Sequence, residues 1–312
     1  MEKNLSQGLK MVIRKGRKQI FDPECEIYTK EKSRRLKKIS LSNGKFFILP
    51  IDQGLEHGPV DFFANPESAN PEFQLEIAMK VGYSAIAMQY GLAKRYWKKV
   101  KYRKNIPLVV KINGKTQIPN IAPFSVVNAT VEEAVDLGAD AIGYTLYVGS
   151  SWQNEDFRQF ADIRRQADKY DLPVIVWAYP RGERISVDGG KDSVAAVDYA
   201  VRVAMELGAD IVKFNLPKMP KGGFNMDDIF AQYNLMTKFS QKELLQKVVD
   251  SAGTMGTLLS GGDLSSKKES LQNVSLAMEC GVDGVIFGRN IWQREYSDAV
   301  DIASKIKKIL LA

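Results

Sequence analysis

The segment ADIVKFNL, residues 209–216, sets one ammonium, that of Lys213, in a stretch that otherwise reads as continuous core. Burying an unpaired charge is costly, so desolvation pushes such a lysine toward its neutral amine, the nucleophilic form that makes an imine with a ketone. A structural ion pair with Asp52 is the alternative. Lys111, in VVKIN, has similar credentials, so residue type does not choose between the two lysines. Tyr179, at the end of PVIVWAY, offers a phenol for proton transfer, with a pKa that a neighbouring ammonium would lower. A tyrosine that only satisfies its hydroxyl inside the fold is the other reading. Asp52, at the end of FFILPID, can accept a hydrogen bond from a substrate hydroxyl or act as a base. Ser260-Gly261-Gly262 and Gly288-Arg289 combine backbone-exposing residues with a guanidinium, a pairing suited to phosphate.

These residues need elements to hold them, and one phrase recurs where such elements are needed. VGYSAIAM at 81–88, LGADAIGY at 137–144, LGADIVKF at 207–214 and CGVDGVIF at 280–287 each have a glycine, two further residues and then an apolar run. Helical spacing precedes each glycine, so the glycine reads as the left-handed turn that ends a helix, and the run as a strand buried on both faces. FFILPID (46–52), PLVVKIN (107–113), PVIVWAY (173–179) and TLLSGGD (257–263) bring the strands to eight. Helical patterns fall at 71–81, 92–100, 130–137, 155–170, 192–207, 241–250, 265–280 and 296–311. Strict alternation predicts a parallel sheet with right-handed crossovers, and eight units predict an α/β fold of the closed (β/α)8 TIM-barrel type. An open doubly wound sheet is less suited, because no GxGxxG follows the first strand. In a barrel the polar residues above stand at the C-terminal strand ends, where such folds do chemistry.

Composition narrows the function further. His57 is the one histidine and the two cysteines, Cys25 and Cys280, lie far apart, so neither a zinc cluster nor a disulfide framework is expected. No apolar run is long enough for a membrane span and no secretory h-region follows the first residues, so a cytoplasmic protein is expected, with no membrane partner. The net charge of +7 is uneven: residues 1–45 hold 13 Lys and Arg against 5 Asp and Glu, leaving 31 against 32 elsewhere, or −1. The chain therefore divides into a basic N-terminal extension, 1–40, and a neutral barrel domain, 41–312. KRYWKKVKYRK, residues 94–104, interleaves aromatics with cations as a nucleic-acid surface would. A solvated helix face with its aromatic stems turned inward is the favoured reading, and no nucleic-acid partner is expected.

LPIDQGLEHGP, VIVWAYPRG, GADIVKFN, LLSGGD and VIFGRN, in that order, resemble the DhnA-type, or archaeal-type, class I fructose-bisphosphate aldolases over residues 40–312. The resemblance implies a (β/α)8 barrel that reversibly cleaves fructose 1,6-bisphosphate to dihydroxyacetone phosphate and glyceraldehyde 3-phosphate, without cofactor or metal. It implies Lys213 as the imine-forming lysine, Tyr179 as the proton-transferring phenol and Asp52 as the carboxylate handling substrate hydroxyls, with Lys111 in support. Trp177 would shape the pocket, His57 would contact substrate or order its loop, and Ser260, Gly261, Gly262, Gly288 and Arg289 would hold phosphate. Lys218, Lys221 and Gly222-Gly223, in a long segment after the sixth strand, are candidates for a second phosphate. The family's homo-oligomers suggest that the N-terminal segment covers a subunit interface or a barrel end. Related enzymes acting on other phosphoketoses, in aromatic precursor synthesis or on a signalling phosphoketone, are the neighbouring alternative.

Overall fold

A computed structural model describes residues 27–187 and 189–312. Eight parallel strands close a barrel: β1 Phe46–Pro50, β2 Ala85–Gln89, β3 Leu108–Lys111, β4 Ala141–Leu146, β5 Val174–Ala178, β6 Ile211–Phe214, β7 Gly256–Ser260 and β8 Gly284–Ile286. Each pairs with its sequence neighbours, and β8 pairs with β1 at Phe46 opposite Gly284. The longer helices are α1 Lys30–Lys38, α2 Pro71–Val81, α3 Val131–Leu137, α4 Gln153–Lys169, α5 Val194–Glu206, α6 Gln241–Ser251, α7 Lys267–Glu279 and α8 Tyr296–Leu311. Seven of them, α2 to α8, fall on the expected helical patterns. The architecture is the (β/α)8 barrel that the alternation predicted.

The recurring phrase does what its glycines imply. Gly82, Gly138, Gly208 and Gly281 all have left-handed φ, between 72° and 90°, a region that a side chain disfavours. Thr130 and Glu133 add a reciprocal capping box at the start of α3, and Ser240 and Glu243 do so for α6. The pattern at 92–100 gives no regular α-helix. A single turn at Tyr90–Leu92 runs into a π-helical stretch, Ala93–Trp97, and then a short helix, Val100–Arg103. The Trp97 indole N–H donates to the Ile106 carbonyl and anchors the irregular crossover.

Strand alternation separates two cores. Val110, Ile142, Val176, Val212 and Val285 face the helices. Phe46, Ile48, Ala85, Ala87, Val109, Ala141, Ile175, Ile211, Leu258 and Ile286 fill the barrel interior, with Trp177 above them. Leu36 and Ile39 at the end of α1 join this interior cluster and are fully buried. The Lys32 ammonium lies 2.8 Å from Asp168 and 3.2 Å from Asp210, Lys38 lies 2.7 Å from Asp140, and Arg35 donates to the Ala139 carbonyl. Asp210 and Asp140 directly precede β6 and β4, so α1 closes the N-terminal end of the barrel. The basic pairs at residues 14–18 and Cys25 lie outside the described residues.

Candidate active site

The opposite end of the barrel opens into a cavity of about 860 Å3. Asp52, His57, Tyr179, Lys213, Ser260, Gly261, Gly262, Gly288 and Arg289, which the sequence placed at or after five strand ends, line it together. Ile175, Trp177 and Tyr179 follow one face of β5, and Ile211, Lys213 and Asn215 one face of β6. The pairing sets Trp177 opposite Lys213.

Lys213 is buried, yet it borders the cavity and has no ion-pair partner among the described residues. Its ammonium lies 5.2 Å from the Trp177 ring centre and 5.4 Å from that of Tyr179. Burial lowers its pKa to about 8, against the opposing pull of the Asp52 and Glu56 carboxylates and with help from the Arg289 charge. Lys111 is as deeply buried but does not reach the cavity wall. Its Nζ stands 3.6 Å from Asp52 Oδ2 and 5.1 Å from the Trp177 ring centre. Burial lowers its pKa as well, and the Lys213 charge adds to that. The ion pair considered for Lys213 therefore belongs to Lys111, which leaves Lys213 as the unpaired amine at the cavity.

Trp177 lies beneath the cavity rather than in its wall. Both lysines stack on its ring, and a Cβ at Gly143 would come within 2.6 Å of Trp177 Cζ3, so β4 carries a glycine where the indole passes. Among the described residues, Asp52 Oδ1 has no hydrogen-bond partner. Tyr179 departs from expectation. Burial and the Asp52 and Glu56 carboxylates push its pKa up, outweighing the nearby cations, so the resting phenol keeps its proton.

The last two strand ends form a polar corner. A Cβ at Gly261 would meet Phe287 at 2.9 Å, and one at Gly288 would lie 3.0 Å from the Pro50 carbonyl, so neither position admits a side chain without movement. Arg289 Nη2 lies 2.8 Å from Asp263 Oδ1 and donates to the Gly262 carbonyl at 3.4 Å. Fully buried Asn290 donates to the carbonyls of Gly261 and Asp263 and so joins the two loops. That residue was within VIFGRN but carried no charge to mark it. Arg181, Lys191 and Lys218 also line the cavity, whereas Lys221 and Gly222-Gly223 lie outside its wall. Glu56 was also missed: its carboxylate accepts from the Tyr147 hydroxyl at 3.0 Å, and its only sequence signal was its neighbour His57. The imidazole of His57 lies 2.6 Å from Asp61 Oδ2 at the rim.

In the basic stretch at 94–104, Tyr96 is half-buried with the Lys99 ammonium 5.9 Å from its ring centre. Trp97 and Tyr102 are buried, and Lys99 and Lys101 pair with Glu72 and Glu76 of α2. Among the described residues no helix is long and apolar enough to cross a membrane.

Comparison with known proteins agrees with this geometry. The DeoC/LacD family aldolase pattern matches residues 46–294. The class 1 fructose-bisphosphate aldolase of Thermoproteus tenax is 39% identical over 274 residues, 88% of this chain and 92% of that protein. A solved Schiff-base-forming fructose-1,6-bisphosphate aldolase superposes with TM-score 0.76 at 35% identity, covering 89% of this chain and 99% of the other. An archaeal fructose-1,6-bisphosphate aldolase, solved with its catalytic lysine covalently bound to the carbinolamine intermediate, gives the same score and identity over 90% and 100% of the two chains. The chain belongs to the DeoC/LacD aldolase family and, within it, to the archaeal-type class I fructose-bisphosphate aldolases.

Proposed function

We propose that this chain reversibly cleaves fructose 1,6-bisphosphate into dihydroxyacetone phosphate and glyceraldehyde 3-phosphate, with Lys213 as the imine-forming residue. The observation that carries this reading is an unpaired buried amine, with a pKa of about 8, opening into a cavity beside the Gly261, Gly262, Gly288 and Arg289 corner. At pH 7 about a tenth of that amine is uncharged, against less than about one part in a thousand for an ordinary lysine. It attacks the ketose carbonyl, and Tyr179, protonated at rest, gives its proton to the hydroxyl that leaves the carbinolamine as water. A cationic imine now faces a phenolate.

The cation lowers the cost of that phenolate, which takes the proton from the C4 hydroxyl while the C3–C4 bonding pair moves into the imine. Glyceraldehyde 3-phosphate departs, the phenol returns its proton to C3 of the enamine, and water hydrolyses the imine to free dihydroxyacetone phosphate and Lys213. Asp52 Oδ1, lacking a partner, is suited to a substrate hydroxyl. Ser260, the three glycines and Arg289 suit one phosphate, and Arg181, Lys191 and Lys218 offer cations for the other. Work in the cytoplasm and assembly as a homo-oligomer complete the proposal, the latter resting on the family resemblance.

Borohydride reduction in the presence of dihydroxyacetone phosphate tests the assignment. The expected result is an irreversible adduct that peptide mass spectrometry places on Lys213. An adduct on Lys111 would overturn the residue, and none at all the mechanism. Inability to cleave millimolar fructose 1,6-bisphosphate, with activity on another phosphoketose, would reassign the substrate.

A further inference from the structure

We infer that the chain carries a second small-molecule site, behind the active site, for a flat apolar ligand with one N–H or O–H donor and an anionic end. A cavity of about 550 Å3 lies between the segment after β1, the start of α2 and the turn after β2. Its size falls within the roughly 300 to 1,000 Å3 of ordinary ligand pockets, and like them it has mostly apolar walls with few polar groups. Leu55, Phe62, Pro71 and Leu92 supply the apolar surface.

The polar groups define the rest of the ligand. Gln74, in the cavity wall, is only 1% exposed. Its Nε2 donates to the Ser68 carbonyl at 2.7 Å, which fixes the amide orientation and leaves Oε1 buried with no partner. A buried acceptor without a donor is uncommon in a folded protein, and a ligand N–H or O–H would satisfy it. Arg95, exposed at the same cavity, has no ion-pair partner among the described residues, so its charge is available to a carboxylate or similar anion. Asp52 lines both this cavity and the barrel mouth, so occupancy here presses on the wall of the active site. The ligand site stands on its own geometry; the kinetic coupling rests on the aldolase reading.

Calorimetric titration of the full chain with indole-3-acetate, and with naphthalene-1-acetate, which replaces the ring N–H by C–H, separates these elements. Indole-3-acetate should bind once per chain with Kd below about 1 mM, and the naphthalene analogue about tenfold more weakly. In Gln74→Leu that preference should shrink below about twofold. Gly91→Phe should abolish binding: Gly91 lines the cavity, its φ admits a side chain, and a Cβ there meets nothing within 4 Å, so the variant is expected to fold. Absence of binding to the unaltered chain, or a preference that survives Gln74→Leu, would overturn the site, including the case in which water alone or a second copy of the chain covers Gln74. Saturating indole-3-acetate should also change KM or kcat for fructose 1,6-bisphosphate by at least about twofold, and not in Gly91→Phe. Unchanged constants would overturn the coupling, and a chain without cleavage activity would fail the aldolase reading while the calorimetry still judged the site.

Discussion

Two buried lysines share one tryptophan, and their partners make them different. Lys111 is tied to Asp52, whereas Lys213 has a pKa of about 8 against an ordinary 10.5 and no counter-ion among the described residues. Between those two pH values the unfolded chain binds the proton and the folded chain does not, so this group's contribution to stability rises with pH from 8 to 10.5. Its cost is fully present below 8. Lys213→Met should therefore fold, gain about 1 to 3 kcal/mol at pH 7 in denaturant titration, and lose cleavage altogether. Lys111→Met should instead lose about 3 to 5 kcal/mol, because it strands the Asp52 carboxylate in the interior. Unfolding of the Lys213 variant would make that lysine structural after all. Tyr179→Phe should keep substrate affinity and slow turnover by about 10² to 10⁴ in steady-state assays, the usual worth of a positioned acid or base; an unaltered rate would reduce the residue to packing. The local sequence marked both lysines and the tyrosine, but not which lysine was paired or which way the phenol was shifted. The phenol's shift follows first from burial and then from Asp52 and Glu56, and the lysine pairing follows from Asp52, carboxylates that lie more than 50 residues away in the chain.

At the level of elements, legibility followed the strength of local periodicity. α8 falls on the predicted 296–311, because apolar residues recur along its whole length at helical spacing. The stretch at 92–100 misled, because an aromatic, cation-rich segment has the composition of a helix face while Trp97 and Tyr102 pull its backbone into a π-helical and broken path. α1 gave little warning, since Leu36 and Ile39 are its main apolar anchors and their partners are the inward side chains of distant strands. Only three-dimensional closure shows that KEKSRRLKK is a plug, with its cations set against Asp210, Asp168 and Asp140. Leu36→Ala should cost about 2 to 5 kcal/mol in thermal or denaturant unfolding, the range for a fully buried leucine. Its effect on KM should be small, because the cavity lies at the other end of the barrel. A variant as stable as the parent would show that α1 merely rests on the barrel.

For the whole molecule, the closed barrel separates tasks by end: α1 and buried aspartates seal the N-terminal face, and the C-terminal face holds the chemistry. Cleaving a C–C bond beside a ketone leaves an electron pair that some cation must accept, either a bound metal ion or a protonated imine. A metal would need converging donors. The chain has one histidine, held to Asp61, and among the described residues no three His, Cys, Asp or Glu side chains gather into a metal-binding group. In the proposed mechanism the imine on Lys213 fills that role, at a nitrogen that lies 5.2 Å from the Trp177 ring centre in a cavity also lined by Gly261, Gly262, Gly288 and Arg289. Prolonged dialysis against EDTA should therefore leave the cleavage rate within about twofold, while borohydride with dihydroxyacetone phosphate should extinguish it. Loss of activity on chelation, restored by added divalent metal, would move the electron sink from the lysine to an ion. Chelation complements the borohydride test, because it leaves Lys213 chemically intact and removes only the competing sink.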